Sequence, residues 1–299
     1  MSPIKRWLKY LKTIKRASKK GAFFPQYKSS TIHAAPQGTA EIPTAGSALR
    51  RLIQEVGWFR ISEHHIEINT LKSPVRILHI TDVHLRDSDD WLQRLCQCMN
   101  GLEADIVVIT GDLITRGWTR EALDLFFQAC PRGRLGTYAI MGNWEYWSGQ
   151  SPATWREVLS NYDVLLLCEE SHQTPLVNIY GTDDHLAGQS DPERLEKALC
   201  DDIPNIVLTH SPAFFPKLTH PAVSLVLAGH AHGGQIRIPK LGALWTPKGT
   251  DQYIAGWFKQ DNTHLFVSRG VGWSVAPLRL LCPPELAFIH CTPNAGARN

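Results

Sequence analysis

An α/β fold built on a mixed, largely parallel sheet is predicted by three features of the 299-residue sequence. Apolar runs of strand length alternate with amphipathic stretches between residues 60 and 232, the pattern of βαβ units with buried strands. Several of those runs end in Asp, Asn or His, and the carboxyl ends of strands are where open α/β sheets gather ligands. After residue 233 the helical pattern stops, and short β segments joined by Gly, Pro and Asn turns close the chain.

Taken from the N-terminus, residues 1–20 hold eight Lys or Arg and no acid. Ile4, Trp7, Leu8, Leu11 and Ile14 would cover roughly 120° of a helical wheel, opposite most of the bases. This is the pattern of a helix lying on an anionic membrane surface, although a solvated basic tail or an RNA-binding arm would use the same residues. Residues 21–46, with Pro25, Pro36 and Pro43, read as a linker, and 47–75 as a lead-in helix and strand. Strand runs follow at Arg76–Leu85, Asp105–Leu113, Thr137–Asn143, Val164–Cys168, Val177–Asp183, Asn205–His210 and Ser224–His232. Helices are predicted at Asp90–Glu103, Thr119–Cys130, Pro152–Asn161 and Pro192–Cys200. The segments QIRIP, QYIAGWFK, THLFVSR, PLRLL and ELAFIH are the closing strands of a domain spanning 76–292, and 293–299 is a tail.

Composition narrows the function classes. The net charge of +3 is local: outside residues 1–20, 23 bases face 28 acids, so residues 21–299 carry about −5. Specific nucleic-acid binding by the globular part is therefore not expected. Seven cysteines include no C-x-x-C pair and sit mostly in apolar runs, as reduced core thiols do. No uncharged stretch reaches the ~18 residues that span a bilayer. The basic N-terminus lacks the apolar core of an export signal. A cytoplasmic protein, peripheral on the inner face of the cytoplasmic membrane, is expected.

Five strand ends deliver seven candidate ligands. ILHITDVHL offers Asp82 and His84, two apart and thus on one side of an extended strand. IVVITGDL offers Asp112, AIMGNWEYW offers Asn143, IVLTHSP offers His210, and LVLAGHAHGGQ offers His230 and His232. Seven oxygen and nitrogen donors without a thiolate exceed the needs of one tetrahedral zinc. They suit two divalent ions about 3.5–4 Å apart. Manganese is the first choice, and iron or zinc fit the same donors.

The order D-V-H, G-D, G-N-x-E, T-H and G-H-x-H, from about Ile77 to Ile289, resembles the calcineurin-like metallophosphoesterases. GHAHGGQIRIP, SRGVG, LRLLCPPEL and GWFRISEHHI are similar to its YkuE/YaeI-type bacterial branch. The resemblance implies a four-layer α/β/β/α sandwich of two mixed sheets. It also implies one metal on Asp82, His84 and His232, a second on Asn143, His210 and His230, and Asp112 bridging them. A metal-bridging hydroxide, oriented by Asp112, would attack phosphorus in line in a phosphodiester or pyrophosphate bond.

One position departs from the family pattern G-N-H-E/D: the histidine is Trp144. Indole cannot act as a general acid, a contribution typically worth about 10²–10⁴-fold. Either the substrate has a good leaving group, as in a pyrophosphate, or the protein binds metal without turnover. The branch is similar to UDP-2,3-diacylglucosamine pyrophosphate hydrolases of lipid A synthesis, which implies a nucleotide-linked lipid substrate; a phosphodiesterase acting on phospholipid or small diesters is the alternative. Tryptophans at 118, 147, 245, 257 and 273 fall in loops, where they could pack or line a lipid cleft. Arg116 and Arg269 are candidates for phosphate contacts, Asp183 and His185 end another strand beside the site, and His185 could replace the missing acid. Oligomeric state is not legible.

Overall fold

A computed structural model of the chain describes residues 32–34, 55–274 and 276–294. The basic segment 1–20 lies outside the described residues, as do most of 21–46 and the start of the lead-in segment. Within the expected linker, β1 (Ile32–Ala34) pairs antiparallel with β2 (Arg60–Ile68). A 3₁₀ turn at Glu55–Gly57 precedes β2.

The chain then alternates as expected: β3 (Val75–Ile80), α1 (Asp90–Met99), β4 (Ile106–Thr110), α2 (Arg120–Ala129), β5 (Thr137–Ile140), α3 (Asn143–Trp147), α4 (Pro152–Ser160) and β6 (Leu165–Leu166). The second half holds β7 (Glu170–Gln173), β8 (Asn178–Gly181), α5 (Pro192–Ala198), β9 (Asn205–Thr209) and β10 (Val223–Ala228). It closes with β11 (Arg237–Ile238), β12 (Gly242–Ala243), β13 (Gly256–Gln260), β14 (Thr263–Val267) and β15 (Glu285–Pro293). The helices start where side chains can cap them: Asp89, Thr119 and Ser151 each accept a backbone N–H from the first turn that follows.

Two mixed sheets result. The first runs β1-β2-β15-β3-β4-β5-β6 and the second β13-β14-β10-β9-β8-β7, with β11-β12 as a separate ribbon. The C-terminal strand β15 enters the middle of the first sheet, parallel to β2 and antiparallel to β3. Period-two alternation along the parallel strands feeds two cores at once. Leu78, Ile80, Val107 and Ile109 pack under the helices with Leu95, Phe126 and Trp155. Their neighbours Ile77, Ile106 and Val108 meet Ile206, Leu208, Leu225 and Phe266 between the sheets. A third core beneath the second sheet gathers Val207, Val226, Phe214 and Phe215. Helix, sheet, sheet and helix are thus stacked as the four-layer sandwich.

Every strand that leads to a candidate ligand stops earlier than its apolar run. β3 ends at Ile80, two residues before Asp82, and β10 at Ala228, two before His230. The exposed β7, polar throughout in ESHQ, had no apolar pattern to announce it. All seven cysteines are free.

The insertion of β15 makes Phe288, fully buried under the helices, a sensitive position. Phe288→Ala should cost about 3–5 kcal/mol in denaturant unfolding. A loss under about 1 kcal/mol would contradict the central placement of this strand.

Candidate metal centre

The loops after β3, β4, β5, β9 and β10 converge at one end of the two sheets and bring all seven expected ligands together. Asp82, His84 and His232 form one group whose donor atoms lie within 4.8 Å of one another, and Asp112, His210 and His230 form another. All six are buried. Asp112 Oδ2 stands 3.1 Å from His210 Nε2 and 3.7 Å from His84 Nε2, so one carboxylate oxygen faces both groups. Asn143, only 2 % exposed, has an Oδ1 with no hydrogen-bond partner. A buried carbonyl oxygen left so is costly unless a cation takes it.

The reading of Asp82 and His84 as neighbours on an extended strand is corrected here. Both take left-handed backbone (φ 55° and 54°), as do Asp112, His230 and His232 (51°, 67° and 50°). Five of the seven donors therefore occupy a region that costs non-glycine residues roughly 1 kcal/mol each. The turn at each one aims the side chain inward, which strand alternation alone does not do. Asn143 likewise does not end a strand; it opens helix α3. Gly111 (φ 83°) permits the closest approach of two ligand loops, because a Cβ there would sit 2.7 Å from the Gly142 Cα.

The residue that holds those two loops together, Glu145, has no role in the sequence reading. Its buried carboxylate accepts backbone N–H groups from Asp112 (2.9 Å), Leu113 (2.7 Å), Ile114 (3.2 Å) and Gly142 (2.8 Å). The Asp112 carboxylate is further steadied by the backbone N–H of Trp144, 2.8 Å from Asp112 Oδ1. The signal for Glu145 was the acid of the G-N-x-E pattern, which by itself says nothing of the four N–H groups it gathers.

Histidine tautomers test whether cations fit. His210 Nδ1 lies 2.7 Å from the Thr110 carbonyl and His230 Nε2 lies 2.7 Å from the Lys248 carbonyl. Carbonyls only accept, so both of those nitrogens carry hydrogen. The remaining nitrogens, His210 Nε2 and His230 Nδ1, face each other across 3.2 Å, with Asp112 Oδ2 3.1 Å from the first. That arrangement requires positive charge between or beside them. Outer carbonyls that fix ring orientation in this way are the usual support of metal-ligating histidines. Asp82 is held similarly, accepting the His230 N–H at 2.9 Å and the Thr81 hydroxyl at 3.0 Å.

Without a cation the charges are frustrated. Burial pushes Asp82 up to about 7, helped by the nearby Asp112. Burial would lower His210, but the Asp112 carboxylate beside it raises it well above the ordinary value. Burial takes His84 down to about 3 and His230 to about 4, and holds His232 well below its usual range. Those three imidazoles favour the neutral form that ligates, while Asp82 and His210 favour the protonated form, whose protons a divalent ion would displace.

A cleft of ≈ 390 Å³ opens over Asp112, Asn143, His230 and His232. Its other walls include Trp144, Trp147, Leu186, Trp245 and Lys248. Trp144 lies edge-on to His84 at 5.6 Å and to Trp147 at 5.4 Å. Of the five tryptophans expected in loops, Trp147 instead ends α3 and Trp257 lies in β13; only 147 and 245 line the cleft, while Trp118 packs on Trp155, Trp257 on Phe266 and Trp273 on Trp91. The four residues expected to contact substrate lie elsewhere. Arg116 is exposed and donates to the Trp147 carbonyl, and Arg269 pairs with Glu285. Asp183 accepts the Tyr146 hydroxyl and lines a separate hollow, while His185 stacks on Phe214 at 4.6 Å. Strand-end position put them at the right edge but not on the right side of it. Lys248, unremarked in the sequence, is the cation that the cleft does contain.

Comparison with known proteins agrees with this geometry. Residues 75–234 match the family described as calcineurin-like phosphoesterase. The chain is 30% identical over 224 residues to the uncharacterized metallophosphoesterase YkuE of Bacillus subtilis (strain 168), covering 71% of this chain and 77% of that protein. It is 26% identical over 250 residues to phosphodiesterase YaeI of Escherichia coli (strain K12), covering 79% and 89%. It is 27% identical over 278 residues to the UDP-2,3-diacylglucosamine pyrophosphatase LpxG of Chlamydia muridarum (strain MoPn / Nigg), covering 73% and 83%.

Two outcomes are expected. Metal entry must expel protons from Asp82 and His210, both of which are held above their ordinary values, so manganese affinity should rise by about tenfold or more per pH unit between pH 6 and 8. Titration calorimetry in buffers of different ionisation enthalpy would reveal the released protons; affinity independent of pH would contradict this proton displacement. Glu145→Gln should weaken manganese binding by about 10–100-fold while far-UV dichroism stays unchanged.

Proposed function

The chain belongs to the calcineurin-like phosphoesterase family and is a phosphoester hydrolase, and from that premise we propose that it uses a dinuclear centre to split a bond whose leaving group needs no proton. The pyrophosphate bond of a nucleotide-linked lipid of the UDP-2,3-diacylglucosamine type is the preferred substrate. Divalent ions on the two ligand groups would supply a polarised water as nucleophile and positive charge against the phosphoryl oxygens.

The chain's own residues define the rest. Asp112 faces both ligand groups and, anchored by Glu145 and the Trp144 N–H, orients the nucleophile from a fixed position. Lys248 extends from the segment that also holds His230 and offers its ammonium to phosphate oxygens. Trp144 offers an indole N–H that donates and never titrates. Trp147, Trp245 and Leu186 make the walls largely apolar, which suits an amphiphilic substrate.

The observation that carries this reading is Trp144 in the cleft with no acid in its place. His185, the replacement considered from sequence, is turned onto Phe214, and the lining holds no carboxyl or imidazole beyond the ligands. A phosphate monoester departs from a pyrophosphate as a stable anion, whereas an alkoxide departs poorly without protonation. The likeness to LpxG supports the same choice, and that to YaeI keeps diesters as the alternative. Residues 1–20 would hold the enzyme at the inner face of the cytoplasmic membrane; no helix among the described residues is long and apolar enough to cross one.

Replacing Trp144 tests the leaving-group reading. Trp144→His should raise kcat on alkyl phosphodiesters by about tenfold or more and leave pyrophosphate cleavage nearly flat. An equal change on both substrates would overturn it. Deleting residues 1–20 should weaken binding to anionic liposomes with turnover of soluble substrates unchanged.

A further inference from the structure

We infer that the β11–β12 hairpin and the segment bridged to it form a docking face for an anionic lipid surface, so that the metal cleft opens at the lipid–water boundary. The hairpin leaves directly from the ligand His232 through the 3₁₀ turn His232–Gly234. Ile236 is bridged to Leu280, Arg237 and Ile238 pair with Ala243 and Gly242, and the Leu244 N–H returns to the Ile236 carbonyl at 3.0 Å. The chain then reaches Trp245 and Lys248 in the cleft wall. One short ribbon thus connects a metal ligand, a projecting tip and the rim of the site.

That ribbon exposes what soluble surfaces usually hide. Of the five large apolar side chains exposed among the described residues, Leu241 (69%) is at the hairpin tip, Trp245 (37%) follows its second strand, and Leu281 (37%) follows the bridged Leu280. A fourth, Trp147, lines the same cleft. Apolar residues scattered singly over a surface need no explanation, whereas three on one hairpin and its bridged neighbour, beside a fourth in the cleft that Trp245 also lines, mark a contact site.

Charge selects the partner. Residues 203–250 contain no Asp or Glu and include Lys217, Arg237, Lys240 and Lys248; residues 262–284 are also free of acids. The hairpin and its return, residues 235–248, carry Arg237, Lys240 and Lys248 and no acid, and the Glu55 carboxylate that accepts the Leu281 N–H is buried. Lys240 adjoins Leu241 at the tip, and Lys248 shares the cleft wall with Trp245. Leucine and tryptophan flanked by lysine is the composition of segments seated at the headgroup level of anionic bilayers. A protein partner is the poorer match, because stable interfaces need about 800 Å² per partner with complementary shape, and a projecting ribbon two pairs long offers neither. A lipid surface requires no such complementarity.

The inference rests on the proposed hydrolase only for what the cleft does at the surface, and its test is read without turnover. Amide hydrogen exchange would be followed in the full chain with vesicles of phosphatidylglycerol and phosphatidylcholine, and with phosphatidylcholine alone. Exchange across residues 236–246 should slow by about fivefold with the anionic vesicles, and Leu241→Asp should abolish that slowing while hydrolysis of bis-p-nitrophenyl phosphate is unchanged. Slowing confined to residues 1–20, persistence of the hairpin effect in Leu241→Asp, or slowing that appears with rising protein concentration and no vesicles would each overturn it; the last would indicate a second copy of the chain as the occupant. Loss of hydrolysis in the unaltered protein would count against the enzyme reading and leave this result standing.

Discussion

Lone pairs packed together inside a protein repel, and this chain buries seven donors where only positive charge can reconcile them. The constraint is clearest at His210 and His230, whose outer nitrogens are committed to carbonyls and whose inner nitrogens face each other. It is repeated at Asn143, whose carbonyl oxygen is buried without a donor. Protons can occupy the site in part, as the elevated Asp82 and His210 indicate. Divalent cations would do so more completely, because the Asp112 carboxylate faces both groups.

Holding such a site open against its own repulsion requires rigid loops. Left-handed backbone at five ligand positions is unfavourable, and it is maintained by contacts that exist only in the folded sandwich. The Glu145 carboxylate gathers four N–H groups from two loops that belong to different βα units. On the far side, buried Arg279 donates to the carbonyls of Arg269, Gly270 and Gly272, and the Gly272 N–H in turn reaches the Asp82 carbonyl at 2.7 Å. One buried anion and one buried cation thus organise opposite flanks of the centre through backbone, and the parallel strands between them set the spacing.

Most of the fold, and the side chains that converge at the candidate metal centre, were legible in the sequence because both are written in short-range patterns. Apolar runs of five or six residues alternating with capped amphipathic helices give βαβ order, and Asp or His after such a run is visible by inspection. What sequence does not display is the backbone beyond the last strand hydrogen bond. Asp82 and His84 were placed by strand alternation, yet they reach the site through left-handed turns. The strand run was carried to Asn143 because the helix that follows is a single short turn, which concealed both the start of α3 at Asn143 and the work of Glu145. Arg116 and Arg269 were assigned as candidates for phosphate contacts and Asp183 and His185 as a strand end, but each has a partner of its own and none lines the cleft. Lys248 reached the cleft from a Pro-rich stretch with no periodicity.

The most direct test is anomalous diffraction from crystals of the manganese-loaded protein. Two peaks about 3.5–4 Å apart should flank the Asp112 carboxylate, with Asp82, His84 and His232 around one and Asn143, His210 and His230 around the other. A single peak, or two peaks of which Asp112 touches only one, would contradict the shared centre on which the fold's loops converge.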